Sequence, residues 1–152
     1  MNYVTTNRPG EFVFTQVGIV VKDLEQTVER YRKLMGAESD EIVEFNTGVR
    51  VAHLYFPDID AQIELLSPTE EGNLWSEFLK ENGGDGLHHL CFDTADYEKT
   101  RSGFLEKGVK LVREVTNEFD PRVKYSFFDT SELGFLTEIV NRREIKKMDH
   151  KG

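Results

Sequence analysis

The chain has 152 residues, a length suited to one compact domain or to two small halves sharing a core. Its 28 acidic against 19 basic residues leave a formal charge of −9 and a pI of about 5.0. That balance speaks against a nucleic-acid groove or an anionic membrane surface as partner, because both attract basic patches. The single cysteine, Cys91, excludes an intramolecular disulfide and any cysteine-rich metal cluster, and its place in HLCF fits a packed thiol in a reducing compartment. The start MNYVTTNRPGEFVF lacks a secretory pattern, and no window approaches the ~20 apolar residues of a membrane span. A cytoplasmic location is expected, with neither nucleic acid nor membrane among the partners.

Residues 1–11 are polar, contain Pro9 and Gly10, and read as a flexible arm. The run FVFTQVGIVV is expected as a strand, followed by Asp23 as an N-cap with Gln26 at the third helical position. Leu24, Val28, Tyr31 and Met35 recur at helical spacing before Gly36 closes the helix. TGVRVAHLYF and AQIELLSP then form an expected hairpin across the turn signal PDID. Asn73 caps a short helix, LWSEFLKEN, that ends at Gly83 and Gly84. A second round follows: the strand LHHLCFDT, Asp96 as N-cap, a helix with Tyr97, Arg101, Phe104 and Leu105 along one side, and Gly108 as its stop. VKLVREV, VKYSFFDT and GFLTEIVN complete it as three strands, and the charged tail RREIKKMDHKG is expected to fray.

The chain therefore repeats itself. A shift of 73 residues carries Asp23 onto Asp96, Glu25 onto Glu98, Thr27 onto Thr100, Tyr31 onto Phe104 and Gln16 onto His89. One further residue of loop length carries Glu64 in IELL onto Glu138 in TEIV. Taken singly, each glutamate fits the wet face of an alternating strand. A carboxylate amid apolar neighbours fits equally a buried group that is paired or bound to a metal. Related by the repeat, Gln16, Glu64, His89 and Glu138 supply four polar groups from four strands in two symmetric pairs, a set able to converge on one cation. One imidazole nitrogen with three oxygen donors suits a borderline or hard divalent ion, and the missing thiolates disfavour a closed structural zinc site. Successive strand residues face opposite ways, so at most one of His88 and His89 reaches such a site.

FTQVGIVVKDLEQTVERY, IELLSP, GLHHLCFDTAD and FDTSELGFLTEIV together resemble the vicinal oxygen chelate superfamily, over about residues 12–141. The resemblance implies an α+β fold of paired βαβββ modules, each supplying two metal ligands. On it, 1–11 is a flexible N-terminal arm, 12–70 the first module, 71–86 a connecting helix and loop, 87–141 the second module and 142–152 a charged tail. It places Gln16, Glu64, His89 and Glu138 at the four ligand positions of a divalent metal ion (Zn, Co, Ni or Mn). His89 stands in register with Gln16, seven residues before the capping aspartate in each module, which makes His88 the packed histidine. His53, in VAHLYF, fits either the cavity or a surface or supporting place, and His150 lies in the charged tail.

Within the superfamily, GVRVAHLYFPDIDAQIELLSP and WSEFLKENGGDGLHHLCFDTAD are most similar to the methylmalonyl-CoA epimerase family. That family has histidine where this chain has Gln16, and the ligand order glutamine, glutamate, histidine, glutamate resembles some glyoxalase I enzymes. Both chemistries need a metal that binds two neighbouring substrate oxygens and stabilises an enediolate while a carboxylate moves a proton on carbon. The implied activity is epimerisation of a 2-methylmalonyl-CoA-like thioester, with Glu138 and Glu64 as the catalytic carboxylates and Glu138 the better base. The alternatives are a glyoxalase I-like lactoylglutathione lyase acting on a thiol adduct, and a non-catalytic protein that binds a small molecule of the antibiotic type. Arg50, Arg122 or Lys124 would receive an anionic CoA substrate. A homodimer is the implied assembly.

Overall fold

In the computed structural model, which describes residues 12–56 and 60–151, nine strands and four α-helices are seen, and the strands form one curled sheet of two βαβββ-type modules, the first carrying one extra short strand. The expected arm, residues 1–11, and residues 57–59 of the PDID turn lie outside the described residues.

The first module comprises β1 (Phe12–Val20), α1 (Leu24–Met35), β2 (Glu38–Ser39), β3 (Val43–Phe45), β4 (Val49–Tyr55) and β5 (Gln62–Pro68). After α2 (Leu74–Asn82) the second comprises β6 (Gly86–Thr94), α3 (Tyr97–Glu106), β7 (Leu111–Thr116), β8 (Lys124–Phe128) and β9 (Leu136–Val140). The strand order is β2-β4-β5-β1-β6-β9-β8-β7, with β3 also paired to β4. β1 runs parallel to β5, β6 runs parallel to β9, and β1 and β6 meet antiparallel at the centre, so one half repeats the other about a pseudo-twofold axis.

The caps form where the sequence puts them. Asp23, Asn73 and Asp96 accept from the backbone N–H groups of Gln26, Ser76 and Lys99 at 2.9, 2.9 and 3.1 Å, satisfying donors that a helix start leaves open. α1 ends at Gly36 with φ 63°, a conformation that costs glycine nothing. Its packing face is shorter than the spacing implies: Leu24 is buried and Val28 and Tyr31 partly so, but Met35 is 59% exposed. On α3 the buried side is Tyr97, Thr100 and Phe104, while Leu105 faces solvent.

Alternation along the strands separates two layers. Ala52, Leu54 and Leu65 point to the helix side, where they pack with Leu24. Phe128 and Ile139 meet Tyr97 and Phe104 in the equivalent place of the second module. The opposite face, with Val49, Val51, Leu66 and Phe127, lines the hollow of the curl.

The tail expected to fray is instead helical over Arg142–Asp149, here α4. Ile145 is buried against Cys91, Val123 and Val140. Glu144 accepts the Tyr97 N–H at 2.5 Å, and Asp93 accepts the Arg143 N–H at 3.1 Å. A segment so rich in charge offers little apolar periodicity, and one buried isoleucine with hydrogen bonds to β6 and to the start of α3 holds it.

Candidate functional site

The histidine and the two glutamates among the four expected ligands come together. Glu64 on β5, His89 on β6 and Glu138 on β9 each offer one atom, and these lie within 4.8 Å of one another. The register accounts for it: Glu64 pairs with Gly18 and Glu138 with Cys91, the same rung of the two modules. His89 Nε2 lies 2.9 Å from Glu138 Oε2 and 3.4 Å from Glu64 Oε1. Neither glutamate sits on a wet strand face: Glu138 is 4% exposed and Glu64 is partly buried. Gly18 opens the space for the imidazole, since a Cβ there would stand 2.0 Å from His89 Cε1 and 2.3 Å from Nε2.

Gln16 lies two residues before Gly18 on the same face of β1 and lines the same hollow. Its Nε2 donates to Gln62 Oε1 at 3.4 Å, which places the amide in the wall beside the cluster. His88 packs against Trp75 and Phe78, with ring centroids 5.0 Å from each, while its Nδ1 lies 2.8 Å from His89 Nδ1. Burial and the neighbouring His89 push the His88 pKa down to about 3, so it is neutral and accepts the Nδ1–H of His89. That leaves His89 Nε2 facing the two carboxylates, the arrangement typical of a ligating histidine.

The charges in this cluster shift one another. Burial alone would lower the His89 pKa, but the charge of Glu138, together with the contact to Glu64, raises it to about 10. Burial likewise opposes ionisation of Glu64, yet hydrogen bonding to His53 and His89 holds its carboxyl below the usual range. For Glu138 burial prevails over the attraction of His89, and its pKa is raised. Two buried carboxylates around one imidazole thus demand positive charge, which a proton on His89 supplies in the absence of a cation.

These residues fit a divalent metal ion. Although flanked by carboxylate oxygens, His89 Nε2 is fully buried and makes no aligned hydrogen bond, an arrangement that calls for an explanation in a folded protein. One nitrogen and two carboxylates without a thiolate suit zinc, cobalt, nickel or manganese. Cys91 is not available as a further donor: it is 1% exposed, and burial pushes its thiol pKa well up.

The hollow's cationic residues differ from those expected. Arg50 is paired with Glu25 on the surface, and Arg122 is held by Asp120 at 2.9 Å and Asp149 at 3.0 Å. Lys124 is exposed and borders a separate depression beside Tyr97 and Glu114. Arg113 on β7 and Arg142 at the start of α4 line the hollow instead, the latter donating to the Tyr125 hydroxyl at 3.4 Å. Reading the tail as frayed hid Arg142. Asn141 followed three residues later by Glu144 is a helix-start pattern that would have marked it.

Residues 15–127 match the model of the glyoxalase/bleomycin resistance protein/dioxygenase superfamily. The chain belongs to that superfamily, whose paired βαβββ architecture it displays. It is 35% identical over 100 residues to the ethylmalonyl-CoA/methylmalonyl-CoA epimerase of Cereibacter sphaeroides, a match covering 63% of this chain and 71% of that protein. It is 29% identical to the mitochondrial methylmalonyl-CoA epimerase of Bos taurus, covering 64% of this chain but 55% of the relative, little more than half its length. A solved methylmalonyl-CoA epimerase in complex with methylmalonyl-CoA and ammonium superposes with a TM-score of 0.74 at 30% identity, covering 87% of this chain and 95% of that one.

Proposed function

We propose that the protein is a divalent-metal-dependent epimerase of a 2-methylmalonyl-CoA-like thioester. The observation that carries this reading is the convergence of Glu64, His89 and Glu138 inside a hollow of the epimerase-like fold. Those three residues would hold the ion, with Gln16 Oε1 beside them as the fourth donor. When bound, the ion polarises neighbouring substrate oxygens and lowers the cost of negative charge at the carbon between two carbonyl groups.

The chain's own groups supply the rest. Epimerisation requires a proton to leave one face of the α-carbon and return to the other, and Glu64 and Glu138 come from pseudo-twofold strands on either side of His89. Glu138, whose raised pKa makes it the stronger base of the two, takes the α-proton from one face, and Glu64, on the opposite side, returns a proton to the other. Val49, Val51, Leu66 and Phe127 keep the hollow apolar, which strengthens every charge interaction inside it. Arg113 and Arg142 receive the anionic groups of the thioester. The epimerase relatives favour this reaction over the glyoxalase-type lyase that Gln16 suggested.

We assign the protein to the cytoplasm and to a homodimer. The first is supported by the free, buried Cys91, and among the described residues no helix is long and apolar enough to cross a membrane. The second is supported by Phe12, Val13 and Phe14, which stand 43, 40 and 41% exposed in a row at the start of β1.

The test is proton exchange in heavy water, followed by NMR with methylmalonyl-CoA and metal-loaded protein. Deuterium at the α-carbon is expected. Its absence, or thioester formation from methylglyoxal and glutathione, overturns the reading.

A further inference from the structure

Glu64 and Glu138 occupy equivalent places in the two modules, yet their neighbours differ. Directly opposite Glu64 on the adjoining strand stands His53, and directly opposite Glu138 stands Phe127. The phenyl ring offers a carboxylate nothing, whereas His53 Nε2 lies 3.1 Å from Glu64 Oε2. The other ring nitrogen, Nδ1, lies 2.8 Å from Asp40 Oδ2.

Asp40 grips the histidine twice. Its Oδ1 accepts the His53 backbone N–H at 2.7 Å while its Oδ2 holds the ring, and the Asp40 N–H donates to the His53 carbonyl at 3.2 Å, extending the pairing of β2 with β4. An imidazole between two carboxylates presents an N–H to each, and both must break before the ring turns. Glu64 Oε2 is thereby committed to His53. Its other oxygen, Oε1, faces His89 Nε2 at 3.4 Å, on the side where the cation belongs.

We propose that Asp40 and His53 are positioning residues that fix the Glu64 carboxylate in its metal-ligating orientation, one oxygen held by the imidazole and the other presented to the ion. This inference rests on the metal reading given above and goes beyond it, because it assigns a supporting pair to the first module, where the second has Phe127 at the same place. Such a carboxylate is pre-organised, so binding need not pay to order it, and partners behind a ligand commonly set metal affinity as strongly as the ligands do.

The test is cobalt affinity, measured on the full chain by competition with a chromophoric chelator. His53→Phe, which copies the residue of the second module, is expected to weaken binding about 10–100-fold. His53→Gln, whose amide nitrogen reaches close to the place of Nε2, is expected to recover most of the loss, which a merely space-filling role would not predict. Asp40→Ala, at an exposed position where folding is not at stake, is expected to weaken binding by a smaller factor in the same direction. Undiminished affinity in His53→Phe, or in Asp40→Ala should His53→Phe fail to fold, overturns the proposal alone, as does a His53→Gln variant no better than His53→Phe. A wild-type protein that takes up no cobalt overturns this proposal and the metal reading together.

Discussion

Two glutamates of identical chemistry are made unlike by what stands beside them. Glu64 shares its oxygens between His53 and His89 and is held below the usual carboxylate range, while Glu138 is more deeply buried and raised above it. Glu138→Gln, which keeps shape but cannot take a proton, should slow α-proton exchange by about 10²–10⁴-fold, read as deuterium incorporation per enzyme. His88 titrates in the opposite sense to His89. Its pKa is near 3 in the folded chain and about 6.5 in an unfolded one, so the stability of its neutral form is complete above about pH 6.5. As pH falls from there toward 3 the unfolded state takes the proton first, and stability is lost at up to about 1.4 kcal/mol per pH unit. The metal-free protein should therefore melt at progressively lower temperature from pH 7 to pH 4, with a shallower slope in His88→Leu. Equal slopes would mean that the proton goes elsewhere.

At the scale of elements, the contact between β1 and β6 decides whether the site exists. Gly18 leaves the room that the His89 ring fills, and alanine there meets ring atoms closer than any real contact allows. Gly18→Ala should abolish cobalt binding while retaining the strand signal in circular dichroism, whereas intact binding would show that the ring has room to shift. The helix starts obey a more local rule. Asp96→Ala removes the side chain that accepts the Lys99 N–H and should cost about 1 kcal/mol. In a domain of this size that is a fall of roughly 2–4 °C in melting temperature, checked by thermal denaturation.

For the whole molecule, a ligand that binds the folded state alone raises its stability. Cobalt at a hundred times its dissociation constant should add about 2.7 kcal/mol, visible as a rise in melting temperature that His89→Ala eliminates. Sedimentation should show a particle of twice the 17.6 kDa chain mass at micromolar concentration. Phe12→Ser with Phe14→Ser should return it to the chain mass if the exposed start of β1 is the contact. A single chain-mass species for the wild type would remove the dimer assignment.

The sequence by itself determined the local rules: Asp23, Asn73 and Asp96 start helices, Gly36 stops one, and alternating runs become strands, because each depends on neighbours a few residues away. The repeat was legible too, since a shift of 73 residues relates Gly18 to Cys91, and each pairs with the glutamate the repeat assigns to it. The tertiary structure alone decided which polar groups meet. It gathered Glu64, His89 and Glu138, tied the Gln16 amide nitrogen to Gln62 in the same hollow, and turned His53 from an undecided histidine into the partner of Glu64. It also brought Arg113 and Arg142 to the hollow while binding Arg50 and Arg122 in surface ion pairs. Convergence of this kind depends on register between strands far apart in the chain and on where a charged helix such as α4 docks, and no local periodicity encodes either.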